Sequence, residues 1–482
     1  MTLSLNPDRS LTHAPSDCAS PPVSDAPGLD QQRDRQEALA TVAQSLDANP
    51  LDMSLHRAMV EALRAANDEV GALAHRIALM TFSEIVAGST DPAITALPLY
   101  NIATVYYANG EHTAAKRWYR YALRVHPDLA IAHQNLAAIL LADGQSDEGE
   151  RHRTRAYSLQ RVFIEPVRQP RRQLLILCSG RASGNVPFDT LLGSGTASRI
   201  KYAIDYADEA EDAQLPPFDL VFNAIGEPDI AQPLTRRLEK LTQRCGRPVL
   251  NRPDVVARTQ RHRTAALLAG LDSVVVPPCM RIDDTPASST ALATLLAGEG
   301  LAFPLLMRPL ATHGGDGLTL QTSLDALWSA IATRGEPCYV TQYHDFRSAD
   351  GFYRKYRIVF VDGEPFAYHL AISPHWIVHY VSADMTGHQW KIDEERRFLE
   401  DARGVLGEPA MNAIAAIGRR LGLDFCGIDF TLLPDGRVLV FEANATMLVH
   451  REAVDGVIAH KNAFVQRIVD AFEQMQIRRA GG

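Results

Sequence analysis

The sequence predicts a multidomain chain in which all-α helical repeats are followed by an α/β domain and then by an α+β domain. Three observations predict it. Asn101 and Asn135, Ala103 and Ala137, and Gly110 and Gly144 recur at the 34-residue period of a helical repeat array. Two apolar strand patterns, Leu174–Cys178 and Phe218–Asn223, each lead into a glycine-containing loop and are joined by a crossover, as in a parallel sheet. Finally, Phe425–Asn444 reads as a β-hairpin, two β-branched and aromatic runs flanking Pro434-Asp435-Gly436.

A chain of 482 residues is too long for one core. The boundaries read as a disordered tail over 1–35, a helical repeat domain over 36–165, an α/β domain over 171–257 and an α+β domain over 258–478. A hydrophobic share of 46% and a charged share of 22% are ordinary for a globular protein. The net charge of −9 argues against a general nucleic-acid binder. The six cysteines are scattered without a C-x-x-C pair, so they read as buried thiols in a reducing compartment. No apolar run reaches the roughly 18–20 residues of a membrane span, and the proline-broken start has no signal-peptide core. A cytoplasmic protein without membrane or nucleic-acid partners is expected.

The tail is rich in Pro, Ser, Asp and Thr and has too few apolar residues to offset its ordering entropy. Helical periodicity then covers Glu37–Leu46, Leu55–Leu63 and Val70–Val86. The segment Leu99–Pro127, with Tyr106, Ala115, Tyr119, Ala122 and Pro127, is similar to a tetratricopeptide (TPR) motif, and Leu129–Tyr157 is a looser copy. Such an array buries its faces only with about three repeats, so the preceding helices are expected to act as degenerate copies or caps. The resemblance implies a surface for a peptide or protein partner. A helical lid or dimerisation module is the alternative.

In the hairpin, pairing Leu433 with Val438 across the turn places Asp429 opposite Glu442, with Asn444 two residues on. That register also puts Val438 and Val440 on the face of the acids, and Ile428 and Phe430 on the other. Facing carboxylates repel, so a cation belongs between them; oxygen-only ligands suit Mg2+, completed by water and phosphates.

Asp429, Glu442 and Asn444 stand where ATP-grasp ligases carry an acid followed by E-x-N, and the chain resembles that superfamily, in particular the ribosomal-protein glutamate ligases and D-alanine–D-alanine ligases. The resemblance implies a preATP-grasp domain over 171–257 and a catalytic domain beyond it, ATP with Mg2+ or Mn2+ as cofactors, and Asp429, Glu442 and Asn444 as metal ligands. It further implies phosphate contacts from Arg261, with Arg263 as the fallback, and from Arg308, each where lysine is usual. Gly314, Gly315 and Gly317 would form a glycine-rich loop over the phosphates, and Gln342 and Tyr343 a hinge holding adenine. Arg357 matches an arginine of the D-I-R strand and is the catalytic candidate. Lys355 replaces that strand's aspartate, leaving Asp350 as a possible substitute. The segment His369–Met385, with His369, His375 and His379, lies where the acceptor is expected.

The expected activity is joining a carboxylate, small-molecule or peptide, to an amine or related nucleophile through an acylphosphate. The rival is a non-catalytic nucleotide-binding protein whose helical repeats recruit a client.

Overall fold

A computed structural model of the chain describes residues 28–88, 91–180, 184–193, 197–312, 314–380 and 382–481. Two compact units divide at Glu165 and Pro166. Most of the tail expected over 1–35, together with Cys18, lies outside the described residues; helix begins at Gly28, inside that stretch.

The first unit contains α1 (Gly28–Ala48), α2 (Met53–Ala65), α3 (Glu69–Val86), α4 (Pro92–Ala108), α5 (His112–Val125), α6 (Ala130–Ala142) and α7 (Ser146–Leu159), followed by the short strand β1 (Val162–Glu165). Asp52 and Asp68 cap α2 and α3 by accepting from the backbone N–H groups of Ser54 and Gly71 at 2.8 and 2.7 Å. Gly110 and Gly144, one period apart, take φ of +81° and +75° in the turns that end α4 and α6. Ala103, Ala115, Ala122 and Ala132 let neighbouring helices approach, while Tyr100, Trp118 and Tyr119 fill the space between them. Buried Asn135 donates to the hydroxyls of Tyr100 and Tyr119 at 3.0 and 3.2 Å, which ties successive repeats together.

The second unit holds three sheets. In the first, β3 (Ala197–Ala203), β2 (Arg172–Cys178), β4 (Leu220–Asn223) and β5 (Val249–Leu250) lie side by side and parallel. In the second, β7 (Cys279–Ile282), β10 (Cys338–Gln342), β8 (Leu305–Pro309) and β9 (Thr319–Gln321) are antiparallel. The third runs β12 (Glu364–Ser373), β11 (Tyr353–Val361), β13 (Phe425–Leu432), β14 (Val438–Asn444) and β6 (Val274–Val275). One core spans the first and third sheets, from Leu174 and Phe222 to Phe425 and Phe472. Phe472, on helix Lys461–Ala480, meets Phe222 and Phe425 at ring centroids of 5.5 and 5.7 Å. A smaller core under the second sheet packs Leu292, Leu296, Leu327 and Ile331 of two helices against Met280, Met307 and Val340.

Two histidine pairs recur in the first unit. His56 and His75 meet through their Nδ1 atoms at 2.8 Å, and His56 Nε2 donates to the Pro50 carbonyl. His133 and His152 repeat this at 2.7 Å, with His133 Nε2 on Pro127. The shared device marks α2–α3 and α6–α7 as equivalent hairpins. A ring that donates through Nε2 has only a lone pair on Nδ1 when neutral, so His56 and His133 accept from their partners. Burial, and then the neighbouring imidazole, pushes His75 down to about 3 and His152 down to about 4.

The unfolded chain takes up protons at the ordinary histidine value of about 6.5, whereas the folded pairs resist doing so until far lower pH. Stability of the helical unit is therefore full above about pH 6.5 and falls as pH drops below it, by about 1.4 kcal/mol per pH unit for each proton taken up only on unfolding. Thermal unfolding between pH 7 and 4.5 should show this slope, and a His75→Asn/His152→Asn variant should flatten it.

Candidate active site

The hairpin of β13 and β14 contains one residue more on β14 than on β13. Leu432 pairs with Val438 and Phe430 with Val440, but Asp429 pairs with Glu442, so Phe441 is bulged. This corrects the expected Leu433–Val438 pairing, because the turn is tighter: Gly436 N–H donates to the Leu433 carbonyl at 2.8 Å, and Leu433 N–H to that of Arg437 at 2.9 Å. The bulge restores the register, and Asp429 still faces Glu442. It also moves Val438 and Val440 onto the core face with Ile428 and Phe430, while the buried Leu439, paired with Thr431, stays on the face of the acids.

Cross-strand partners share a face, and one rung crosses four strands in the order His369, Arg357, Asp429, Glu442. Arg357 forks onto Asp429, Nε to Oδ1 at 2.6 Å and one Nη to Oδ2 at 2.9 Å. Lys355 Nζ lies 3.1 Å from the same Oδ2. Burial alone would raise the Asp429 carboxyl; Arg357 and then Lys355 overcome it and hold Asp429 far below the carboxylate range. Glu442 accepts from Arg261 at 2.7 Å and from the Asn444 amide. Asn444 Oδ1 accepts from Thr446 N–H at 3.0 Å and from Thr446 Oγ1 at 3.1 Å.

Arg261 starts the short helix Arg261–Leu267 and is drawn inward to Glu442, whereas Arg263 is exposed. Arg308, on β8, donates to the Thr312 carbonyl and, at 3.1 Å, to Thr312 Oγ1. Burial, and then the nearby Arg261, pushes the Arg308 guanidinium down to about 10. Gly314, Gly315 and Gly317 have φ of +64°, +86° and +64°. A Cβ on Gly314 would come within 3.2 Å of His379 Nε2, and one on Gly315 within 3.4 Å of Ile377, so this loop lies on the segment that follows β12. His313, inside the loop, is outside the described residues.

His369, the first residue of the segment where the acceptor is expected, belongs to β12 and is buried on the rung with its Nε2 unpaired among the described residues. Burial, then Arg357, holds its imidazole well below the ordinary value. Burial, then Lys355, depresses His379 as well. His375 is exposed, and its backbone N–H donates to Ser373 Oγ at 3.0 Å. Gln342 ties the neighbouring loop together, accepting from Ala302 N–H at 2.9 Å and donating to the Pro304 carbonyl, and the Tyr343 ring meets Trp376 at 5.7 Å. Asp350 is taken by Arg354 at 2.7 Å on the surface and contributes nothing to the rung.

Sequence reading missed three buried charges. Glu227 sits in the loop after β4, where Gly226 lets the chain pass so close to Ala445 that a Cβ would lie 3.0 Å from it. Burial pushes Glu227 up to about 7, against the pull of Arg261. Glu395 accepts from Tyr380 at 2.8 Å and faces Lys461 at 3.5 Å, while Lys461 stands 4.0 Å from the Tyr380 ring centroid. A lysine opening a helix opposes the helix dipole, and that was the one legible sign of Lys461.

The donor set of Asp429, Glu442 and the Asn444 amide is all oxygen and fits a hard cation that takes its remaining ligands from water and phosphates. In the structure these oxygens are held by Arg357, Lys355, Arg261 and Thr446. No group of three or more His, Cys, Asp or Glu side chains suited to a metal occurs among the described residues.

No family model matches the chain. The photosystem I assembly protein Ycf3 of Synechococcus elongatus is 32% identical over 120 residues, 23% of this chain and 69% of that protein. Its counterpart from Cyanophora paradoxa is 32% identical over 92 residues, 19% of this chain and 53% of that protein. Among solved structures, D-alanine–D-alanine ligase from Bacillus anthracis complexed with ATP is 13% identical, with 64% of this chain and 99% of that chain covered and a TM-score of 0.39. The RimK domain protein ATP-grasp from Sphaerobacter thermophilus is 16% identical, covering 62% and 98%, with a TM-score of 0.37.

Removing one partner from a buried ion pair costs about 3–5 kcal/mol, whereas replacing both with apolar residues is often close to neutral. Arg357→Met should therefore destabilise the second unit by up to about that amount, and Arg357→Met/Lys355→Met/Asp429→Leu, which leaves no charge of the cluster unpaired, should recover most of it, as read by urea denaturation.

Proposed function

Through its N-terminal helices the chain belongs to the family of the Ycf3-type tetratricopeptide-repeat proteins, and for its second unit we propose an ATP-grasp ligase joining a carboxylate to an amine. The observation that carries the reading is the gathering of Asp429, Glu442 and Asn444 with Arg261 and Arg308. Acidic oxygens for a cation and guanidinium groups for phosphates come from β13, β14, β8 and a helix start far apart in sequence. Burial and the nearby Arg261 depress Arg308, a cation that is not fully compensated, which favours an anionic ligand.

In the proposed reaction a carboxylate oxygen of the acceptor attacks the γ-phosphorus of ATP, the bond to ADP breaks, and an acylphosphate forms. The amine then attacks the acyl carbon, phosphate leaves, and the amine proton passes to solvent. Arg261 and Arg308 bind the phosphates and offset their charge, with the backbone N–H groups of Gly314–Gly317 near them. Arg357, turned from Asp429 to the acceptor, orients its carboxylate and stabilises negative charge on the oxygens. Asp429, Glu442 and Asn444 would hold Mg2+, which supplies charge neutralisation between the nucleotide phosphates.

A second reading, a nucleotide-binding protein without turnover, is favoured by one contact. Lys355 stands where the resembled ligases carry an acid, and it is paired with Asp429. In both readings the helical unit serves a peptide or protein partner, supported by the exposed Val70, Leu73 and Met80 at helical spacing on α3. Among the described residues, no helix is long and apolar enough to cross a membrane.

ATP with Mg2+ should raise the unfolding temperature of the chain, a ligand at a hundred times its Kd being worth about 2.7 kcal/mol. The rise should vanish in Asp429→Ala/Glu442→Ala. ADP release that depends on an added carboxylate separates the ligase from the nucleotide sensor, and no rise in the native chain sinks both.

A further inference from the structure

The reaction above leaves Lys355 without a task, although its placement is as specific as that of Arg357. The two lie two residues apart on β11 and share a face. Asp429 Oδ2 accepts from Arg357 at 2.9 Å and lies 3.1 Å from Lys355 Nζ. One carboxylate, 3% exposed, thus serves two fixed cations. A buried charge without a full partner is costly, so a site built this way is poised for added negative charge. Whenever Asp429 turns toward a cation, both basic groups need new anionic partners at once.

Their chemistry differs in a useful way. The flat fork of Arg357 matches one carboxylate in two contacts, whereas Lys355 offers a point charge to a separate group. Both nitrogens reach the same Oδ2, so two anionic groups on one short carbon chain can meet both. His379, whose imidazole is affected by both Lys355 and Arg357, lies against Gly314, and His369, with its Nε2 unpaired among the described residues, is the next group along the rung.

Resting on the ligase reading, we propose that the acceptor is a short dicarboxylate, with Arg357 holding the carboxylate that is activated and Lys355 holding the other. Lys355 is then the residue that sets specificity for a doubly charged acid. This predicts discrimination between acids of equal length.

The test uses the full chain with Mg2+ and a non-hydrolysable ATP analogue, titrated with succinate and glutarate and, at matched ionic strength, with butyrate and valerate. The dicarboxylates should bind about tenfold more tightly than the monocarboxylates, a difference of about 1.4 kcal/mol. Lys355→Gln should erase the preference, and Lys355→Arg should keep it, which separates loss of charge from loss of fold. Equal binding of mono- and dicarboxylates by the native chain overturns the proposal while leaving the ligase reading intact. Weaker binding of the analogue alone to Lys355→Gln also overturns it, since Lys355 would then be a phosphate contact. Absence of any response to the analogue in the native chain removes the ligase reading and this inference together.

Discussion

The second unit depends on the ion pair between Arg357 and Asp429. Both lie on inner strands of one sheet, and neither charge has much water. Each is tolerable there because the other is bound in two contacts, at 2.6 and 2.9 Å, with Lys355 a further cation on Asp429 at 3.1 Å. The bulge at Phe441 is what allows this. It turns the acids to the face opposite the core while Val440 and Val438 stay in the core, so the hairpin serves packing and charge at once.

A second charged layer supports the first. Glu395 of helix Gln389–Glu400, Lys461 at the start of the last helix and Tyr380 of the segment after β12 are bound to one another, and His369 lies against Tyr380 at a ring distance of 5.2 Å. The segment that touches the glycine loop is thereby tied to two helices through side chains with almost no solvent. Burial raises the Glu395 carboxyl, and Lys461 and the Tyr380 hydroxyl oppose that rise. The physical effect is to limit how the loop over the rung can move.

The helical unit uses a different means of joining its parts. Alanines bring the helices close and large aromatic rings fill the gaps, but the polar contacts recur with the repeat: His56 with His75, then His133 with His152, and Asn135 between Tyr100 and Tyr119. The His56–His75 and Asn135 contacts are buried and His133–His152 partly so, a setting in which an unpaired group would cost more than the bond returns. These contacts restrict which helix faces can meet.

By itself the sequence determined what is local or periodic. The 34-residue spacing placed the helices, and the Pro434-Asp435-Gly436 turn between two apolar runs placed the hairpin. The opposition of Asp429 and Glu442 is reached from a pairing one residue off, and it holds because the bulge at Phe441 restores that register. Only the tertiary structure decided the rest. The pairing of Arg261 with Glu442, the pairing of Lys355 with Asp429, the approach of Glu227 to Arg261 and the union of Glu395 with Lys461 join residues distant along the chain. No local pattern encodes such pairs: each buried charge is stabilised by whichever opposite charge the packed sheets and helices bring to it, and that is settled only when the core closes.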